Sequence, residues 1–545
     1  MTLGPLIVQS DKTALLEVDH PQAADARHDL SIFAELERAP EHIHTYRITR
    51  LGLWNARAAG HDSEFVLAVL DKYAKFAVPA GVRADITETM GRYGRLTIQR
   101  SAEGELELHS DSPAILLEAS RQKKIAELLD GQISPNSHRI RAWARGQVKQ
   151  ELLKLGWPAE DHAGYTPGTP HPIELSKGGG WKIRDYQSAA VERFWEGGSG
   201  VVVLPCGAGK TIVGAGAMSV AKTNTLILVT NTVSARQWKS ELMKRTTLTD
   251  DEIGEYSGST KEIKPVTIAT YQILTTKRKA EYAHLALLNA NDWGLIVYDE
   301  VHLLPAPIFK MTADLQARRR LGLTATLVRE DGKEGDVFSL IGPKRYDAPW
   351  KEIEQQGYIA PANCFEVRVD LPDSERLEYA IAGQDDRYRL AATSPAKISV
   401  IRKLLVRHKG EPTLIIGQYL DQIDAVATGL GVPKITGDTP IDERERLFQA
   451  FREGKESTLV VSKVANFSVD LPEASMAIQI SGSFGSRQEE AQRLGRLLRP
   501  KADGRSATFY TLISRDTVDQ DFAQNRQRFL AEQGYSYQIL DAGDL

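Results

Sequence analysis

Two periodicities alternate along the 545 residues. From Ser63 to Phe76, the apolar residues Phe65, Val66, Val69, Leu70, Tyr73 and Phe76 recur at helical spacing. Side chains three and four apart share a helix face, so this stretch predicts an amphipathic helix. Arg95 to Gln99, then Gly104, then Leu106 and Leu108 predict a hairpin. Ala119 to Leu129 predicts a further helix. Arg139 to Leu155 predicts a basic one, with Arg139, Arg141, Arg145, Lys149 and Lys154. Its basic face reads either as solvated surface or as a patch for a phosphate backbone. Residues 157–180 break every period: Pro158, Pro167, Gly168, Pro170, Pro172 and three glycines at 178–180 mark a linker.

From Trp181 short apolar runs alternate with helical stretches. Val201–Leu204, Thr225–Val229, Val266–Thr270, Leu295–Tyr298 and Leu321–Thr324 are such runs. They predict buried parallel strands with helical crossovers. A bridging stretch follows Pro349, polar from Gln384 to Arg389, and the same pattern restarts with Thr413–Gly417, Thr458–Ser462, Ala477–Ser481 and Thr508–Ile513. The expectation is an α/β chain with two tandem parallel-sheet lobes facing a cleft, preceded by N-terminal α+β accessory domains. The boundaries read as 1–130 for the accessory domain, 131–180 for a small region and linker, 181–350 for the first lobe, 351–400 for the bridge and 401–545 for the second lobe.

Hydrophobic residues make up 42% and charged residues 26%, which suits several packed cores and excludes a disordered scaffold. Lys and Arg total 68 against 72 Asp and Glu, so any nucleic-acid contact must come from local patches. The two cysteines, Cys206 and Cys364, exclude a disulfide framework and a four-cysteine zinc site. Met1 to Glu17 does not read as a signal peptide. No apolar run approaches the ~18 residues of a membrane span. A reducing, cytoplasmic setting without membrane contact is the expectation.

The run Val201–Leu204 leads into Pro205-Cys206-Gly207-Ala208-Gly209-Lys210-Thr211 and then a helical stretch. Glycines let backbone N–H groups curve around an anion, and a helix N-terminus adds positive charge. Lys210 suits the β and γ phosphates of a nucleotide and Thr211 suits Mg²⁺. Leu204 stands where the strict pattern has Gly. Leu295–Tyr298 ends in Asp299-Glu300-Val301-His302. Carboxylates at the end of a buried strand are costly unless a cation or ligand uses them. Asp299 fits a Mg²⁺ partner, Glu300 a base for the attacking water, and His302 a coupling residue. Ser486 to Arg499 is helical in pattern and sets Arg496 and Arg499 on one face. From across a cleft they could grip a γ-phosphate, a contact worth ~10³–10⁵ in rate in other NTPases.

These motifs resemble superfamily 2 helicases: Gly207–Thr211, Asp299–His302, Thr324-Ala325-Thr326 and residues 492–499 look like motifs I, II, III and VI, over roughly 181–513. LPCGAGKT (204–211), LGLTATLVRED (321–331), SKVANFSVDLPEA (462–474) and SGSFGSRQEEAQRLGRLLRP (481–500) resemble the XPB family more closely, and Arg329-Glu330-Asp331 resembles its RED motif. The resemblance implies two RecA-like lobes and an ATP-dependent 3′→5′ DNA helicase serving nucleotide-excision repair, with ATP and Mg²⁺ as cofactors. It implies that Arg184 and Gln187 form the adenine-reading Q motif. Asp470 would stand near the ribose, and Gln492, Arg496 and Arg499 would complete the site. It places Thr230, Asn231, Arg236, Trp238, Thr270, Thr324, Thr326, Arg329, Glu330 and Asp331 in DNA contact or coupling. For Trp238, core packing is the rival reading. The segment near 383–395 resembles a short thumb-like insertion. Implied partners are single-stranded and forked DNA and a nuclease or repair protein, with the chain a monomer. A double-stranded DNA translocase or annealing motor, a partner-dependent motor, an RNA helicase and a non-catalytic scaffold stay open as alternatives.

Overall fold

A strand buried on both faces needs helices above and below it, and parallel strands need crossovers that supply them. The computed structural model describes every residue except 1–3, 41, 177–180, 206, 279–280, 326–332, 349–352, 354–361, 463–473, 483–506 and 533–536, and it shows two such sheets. In the first lobe seven parallel strands run in the order Ile253–Tyr256, Val266–Thr270, Thr225–Val229, Leu295–Asp299, Arg319–Thr324, Gly200–Val203, Lys344–Asp347. In the second the order is Lys434–Ile435, Thr458–Ser462, Thr413–Gly417, Met476–Gln479, Ala507–Ser514, Ala362–Val369, Tyr537–Asp541, again all parallel.

All nine apolar runs are strands of these sheets. Five further strands were not anticipated, and four of them are the sheet edges: Ile253–Tyr256, Lys344–Asp347, Lys434–Ile435 and Tyr537–Asp541. An edge is only partly covered, so its residues are mixed and its signal weak. The fifth, Ala362–Val369, is interior but carries Glu366 and Arg368, which pair at 3.0 Å. Its place between Ala507–Ser514 and Tyr537–Asp541 assigns it to the second lobe, so the stretch read as a bridge belongs largely to that lobe. The polar segment there forms the helix Gln384–Ala392, whose Tyr388 is buried edge-on to Phe522, with ring centroids 4.8 Å apart.

Two smaller sheets precede the lobes. Leu6–Val8, Thr13–Glu17, Ile43–Ile48 and Ala34–Arg38 form an antiparallel sheet covered by helices that include Ser63–Tyr73, the predicted amphipathic helix. Leu129–Ser134, Ser137–Ile140, Leu106–His109, Leu96–Arg100 and Ala159–Asp161 form a second, containing the predicted hairpin. The boundary expected at 130 falls inside this sheet. The helix expected over 119–129 lies earlier, at Pro113–Arg121, with Pro113 at its first position, where a missing N–H costs nothing. Gln122 is extended (φ −66°, ψ 123°) and breaks it before the short helix Lys123–Ala126. The basic helix begins at Arg145, because Ser137–Ile140 is a strand.

The linker is bound to its lobe. Thr166 N–H donates to Ala317 O at 2.7 Å, Asn224 N–H to Thr169 O at 2.8 Å, His171 N–H to Lys222 O at 3.0 Å and Ser176 N–H to Arg245 O at 2.8 Å. Gly168, with φ +72°, lies so close to Gly294 that a Cβ would sit 2.3 Å from its nitrogen. Most of these partners precede the strands, so the strap runs along the edge opposite the phosphate loop. The first accessory sheet reaches both lobes through edge strands. Asn55 Oδ1 accepts from Lys344 N–H at 2.8 Å, Tyr537 O–H donates to Ala39 O, and the helix Val518–Glu532 lies against Ala34–Arg38. Among the described residues no helix is long and apolar enough to cross a membrane.

Candidate active site

In an open parallel sheet the C-terminal strand ends leave a crevice for ligands. Gly200–Val203 ends there in the phosphate loop and Leu295–Asp299 in its two acids, with Arg319–Thr324 between them. Gly207 and Gly209 hold φ of +82° and +83°, open to glycine at little cost. Gly209 also meets Gln187, whose Nε2 would lie 2.5 Å from any Cβ. The helix Lys210–Ala221 starts directly after it, with Thr211 in its first turn. Gln187 holds the loop from behind: Nε2 donates to Ala208 O at 2.9 Å while Oε1 accepts from Arg184 N–H at 3.0 Å. Tyr186 O–H donates to the same carbonyl at 2.7 Å and accepts from Arg184 Nη1 at 3.0 Å. Both functional ends of Gln187 are therefore engaged with protein.

Lys210 Nζ donates to Glu300 Oε1 in a short charged pair. Glu300 adopts φ +48°, strained for a residue with a side chain. Burial works against its charge, but Lys210 and His302 outweigh that, and Ala325 N–H bonds it as well, so its carboxyl sits below the usual range. Burial, then the adjacent Glu300 charge, push Asp299 the other way. Two partly buried carboxylates beside one lysine are short of positive charge. Asp299 at the strand end and Thr211 in the first turn of the helix after the phosphate loop are oxygen donors of the kind Mg²⁺ takes. His302 Nδ1 is 2.7 Å from Thr324 Oγ1, which joins the acidic loop to the next strand. Thr324 is fully buried.

Several residues expected at DNA have local duties. Asn231 Oδ1 accepts from Ser234 N–H at 2.9 Å and caps the helix Thr232–Arg245. Thr230 Oγ1 lies 3.3 Å from Ser234 Oγ, and Arg236 is exposed on that helix. Thr270 is buried and caps Tyr271–Thr275. Trp238 is only 2% exposed, and its indole N–H donates to Asp299 Oδ2 at 2.8 Å. The ring is packed inside the lobe, as the rival core-packing reading expects. Thr326, Arg329, Glu330, Asp331, Asp470, Gln492, Arg496 and Arg499 lie outside the described residues.

Three groups have roles that sequence reading missed or misassigned. Arg145 and Lys149, read as solvated or DNA-facing, are buried on Asp161: Arg145 Nη2 at 2.8 Å from Oδ1 and Lys149 Nζ at 2.8 Å from Oδ2. Their charge is spent inside the protein, which corrects both readings. Arg139 pairs with Glu105 at 2.6 Å. In the second lobe Lys397 and Asp519 form a pair 1% exposed on each side at 2.8 Å. Lys397 Nζ also donates to Ile480 O at 3.0 Å, Ser481 Oγ accepts from Gln418 N–H at 2.8 Å, and Tyr388 O–H donates to Gly482 O. These bonds hold the chain just before the arginine segment. The third is Tyr271, which the resemblance places with Thr270 in a DNA-contacting motif; its O–H donates to Asp299 O at 2.7 Å. The available signal was a charge at helical spacing from buried neighbours: Lys397 is three and four residues before Val400 and Ile401.

The profile of the ERCC3/RAD25/XPB C-terminal helicase matches residues 353–544. That of the type III restriction enzyme res subunit matches 180–329, and that of a helicase conserved C-terminal domain matches 6–134. "DNA 3'-5' helicase XPB" of Kineococcus radiotolerans is 67% identical, covering 100% of this chain and 98% of its own. The Mycobacterium tuberculosis protein of the same name is 63% identical, covering 100% and 99%. "General transcription and DNA repair factor IIH helicase/translocase subunit XPB/SSL2" of Saccharomyces cerevisiae is 30% identical, covering 98% and 72%.

Proposed function

The chain belongs to the XPB family of helicases and is an ATP-dependent DNA helicase, and from that premise we propose that it moves 3′→5′ along DNA and separates strands in nucleotide-excision repair. The observation that carries the site assignment is the meeting of Lys210, Asp299 and Glu300 at the C-terminal ends of the first lobe's strands. Lys210 leaves Glu300 for the β and γ phosphates when ATP arrives. Glu300, released but still bonded by Ala325 N–H, accepts the proton of the attacking water. Thr211 and Asp299 would hold Mg²⁺, which would supply charge to polarise the phosphates. Gln187 and Tyr186 keep the loop's shape through Ala208, and Arg184 borders the base. Asp470, Gln492, Arg496 and Arg499 act from the second lobe on closure. Closed and open lobe arrangements bind ATP and products unequally, and that difference drives stepping.

The relatives named as 3′→5′ helicases support the polarity, and the yeast relative's name supports the repair setting. The test uses two partial duplexes with a labelled strand, one with a 3′ single-stranded tail and one with a 5′ tail. Displacement from the 3′-tailed duplex alone, absent in Glu300→Gln, is the expected result. Hydrolysis stimulated by DNA without displacement from either duplex points instead to a double-stranded translocase or a motor that needs a partner, and overturns the strand-separation reading.

A further inference from the structure

We propose that Trp238 and Tyr271 are positioning residues that aim Asp299 at its cation and tie that aim to DNA engagement; the proposal deepens the nucleotide-site reading above and rests on it. Two strands of the first lobe, Thr225–Val229 and Val266–Thr270, lie in order beside the acid strand Leu295–Asp299. Each leads into a helix at the same sheet edge, Thr232–Arg245 and Tyr271–Thr275. Each helix sends one aromatic side chain back to the same residue. Trp238 Nε1–H bonds the Asp299 carboxylate at 2.8 Å, and Tyr271 O–H bonds the Asp299 carbonyl at 2.7 Å.

The two bonds do different work. A buried indole N–H must find an acceptor, and Asp299 Oδ2 is the acceptor it finds. The bond fixes the rotation of the carboxylate. Oδ1 accepts from Glu300 N–H at 3.1 Å, so both oxygens are oriented and each keeps a lone pair for a cation. Tyr271 holds the peptide unit between Asp299 and Glu300, and Glu300 then turns into its left-handed conformation. That turn points Glu300 at Lys210. Trp238 has a third contact: its ring lies against Gly214, one turn beyond Lys210, so closely that a Cβ there would meet the ring at 2.5 Å. A strand bound at Arg236, exposed on the first of these helices, would shift that helix as a rigid piece, since packed interiors do not deform continuously. The shift reaches the cation site through these two hydrogen bonds.

Mn²⁺ is the probe. Its binding in the presence of a non-hydrolysable ATP analogue is read from the paramagnetic resonance of the free ion, with and without single-stranded DNA. Trp238→Phe keeps a ring and loses the donor; Tyr271→Phe loses the hydroxyl. Outer groups that orient metal ligands are worth about 10–100-fold in affinity. Trp238→Phe is expected to weaken Mn²⁺ binding by about tenfold, within that range. DNA is expected to tighten Mn²⁺ binding in the unaltered protein and to lose that effect in both variants. Binding of a labelled strand without nucleotide, read by anisotropy, stays unchanged. Unaltered Mn²⁺ affinity in both variants overturns the proposal. So does a wild-type affinity indifferent to DNA, or a Trp238→Phe protein that no longer binds DNA. If melting shows that Trp238→Phe does not fold, Tyr271→Phe decides alone. Failure of the underlying reading looks different: Lys210→Ala and Thr211→Ala would then leave nucleotide and Mn²⁺ binding intact.

Discussion

Glu300 shows how much a single residue carries. Its backbone is strained, its charge is half-buried, and it pairs with the lysine that phosphates will claim. Glu300→Gln keeps the shape and removes the proton acceptor. ATP hydrolysis is expected to fall by ~10²–10⁴-fold while nucleotide affinity is retained, checked by steady-state turnover beside equilibrium binding of a fluorescent nucleotide. Lys210→Ala is expected to lose affinity as well, since it removes a phosphate contact. Residues with such chemistry were legible because phosphate and cation binding demand particular types at a particular spacing. Trp238 was not, because spacing does not say which way an indole faces. Gln187 was singled out, but its two bonds to the loop and to Arg184 arise only once strand, loop and helix have met.

Among the elements, the helix Arg145–Leu155 carries the sharpest contrast. Burial opposes the Asp161 charge, but Lys149 and Arg145 prevail and hold its carboxyl well below the usual range. Asp161→Asn strands two buried cations beside buried Arg320 and is expected to cost ~3–5 kcal/mol, measured by denaturant unfolding. Lys149→Met replaces a buried charge with an apolar chain and is expected to be near neutral or stabilising. Burial, only partly countered by Asp161, lowers Lys149 from 10.5 to about 8. The folded chain therefore binds fewer protons than the unfolded one between those values. This residue's contribution makes stability rise with pH from about 8 to about 10.5, and Lys149→Met removes that slope in a pH series of melts. The same helix explains why a basic run misled. Its charges sit at helical spacing from buried Val148 and Leu152, a cue that net charge conceals. Central strands were legible since burial on both faces leaves only apolar residues; edge strands were not, as water covers part of each.

The whole molecule joins these pieces through the accessory sheet Leu6–Ile48 and the strap over 166–176. The strap's backbone bonds make the second accessory sheet move with the first lobe. The first accessory sheet differs, because it meets Lys344 in one lobe and Tyr537 in the other. None of this was legible, since contacts between distant edges leave no period in the chain. Mechanically, the two lobes and this sheet form a closed linkage rather than an open hinge. A rotation of one lobe against the other must slip at one of two joints, and the weaker joint yields. Amide hydrogen exchange can see which. On adding a non-hydrolysable ATP analogue, faster exchange is expected at Ala34–Arg38 or at Lys344, where the accessory domain meets the lobes, and unchanged exchange at both would mean that the linkage bears no strain when ATP binds.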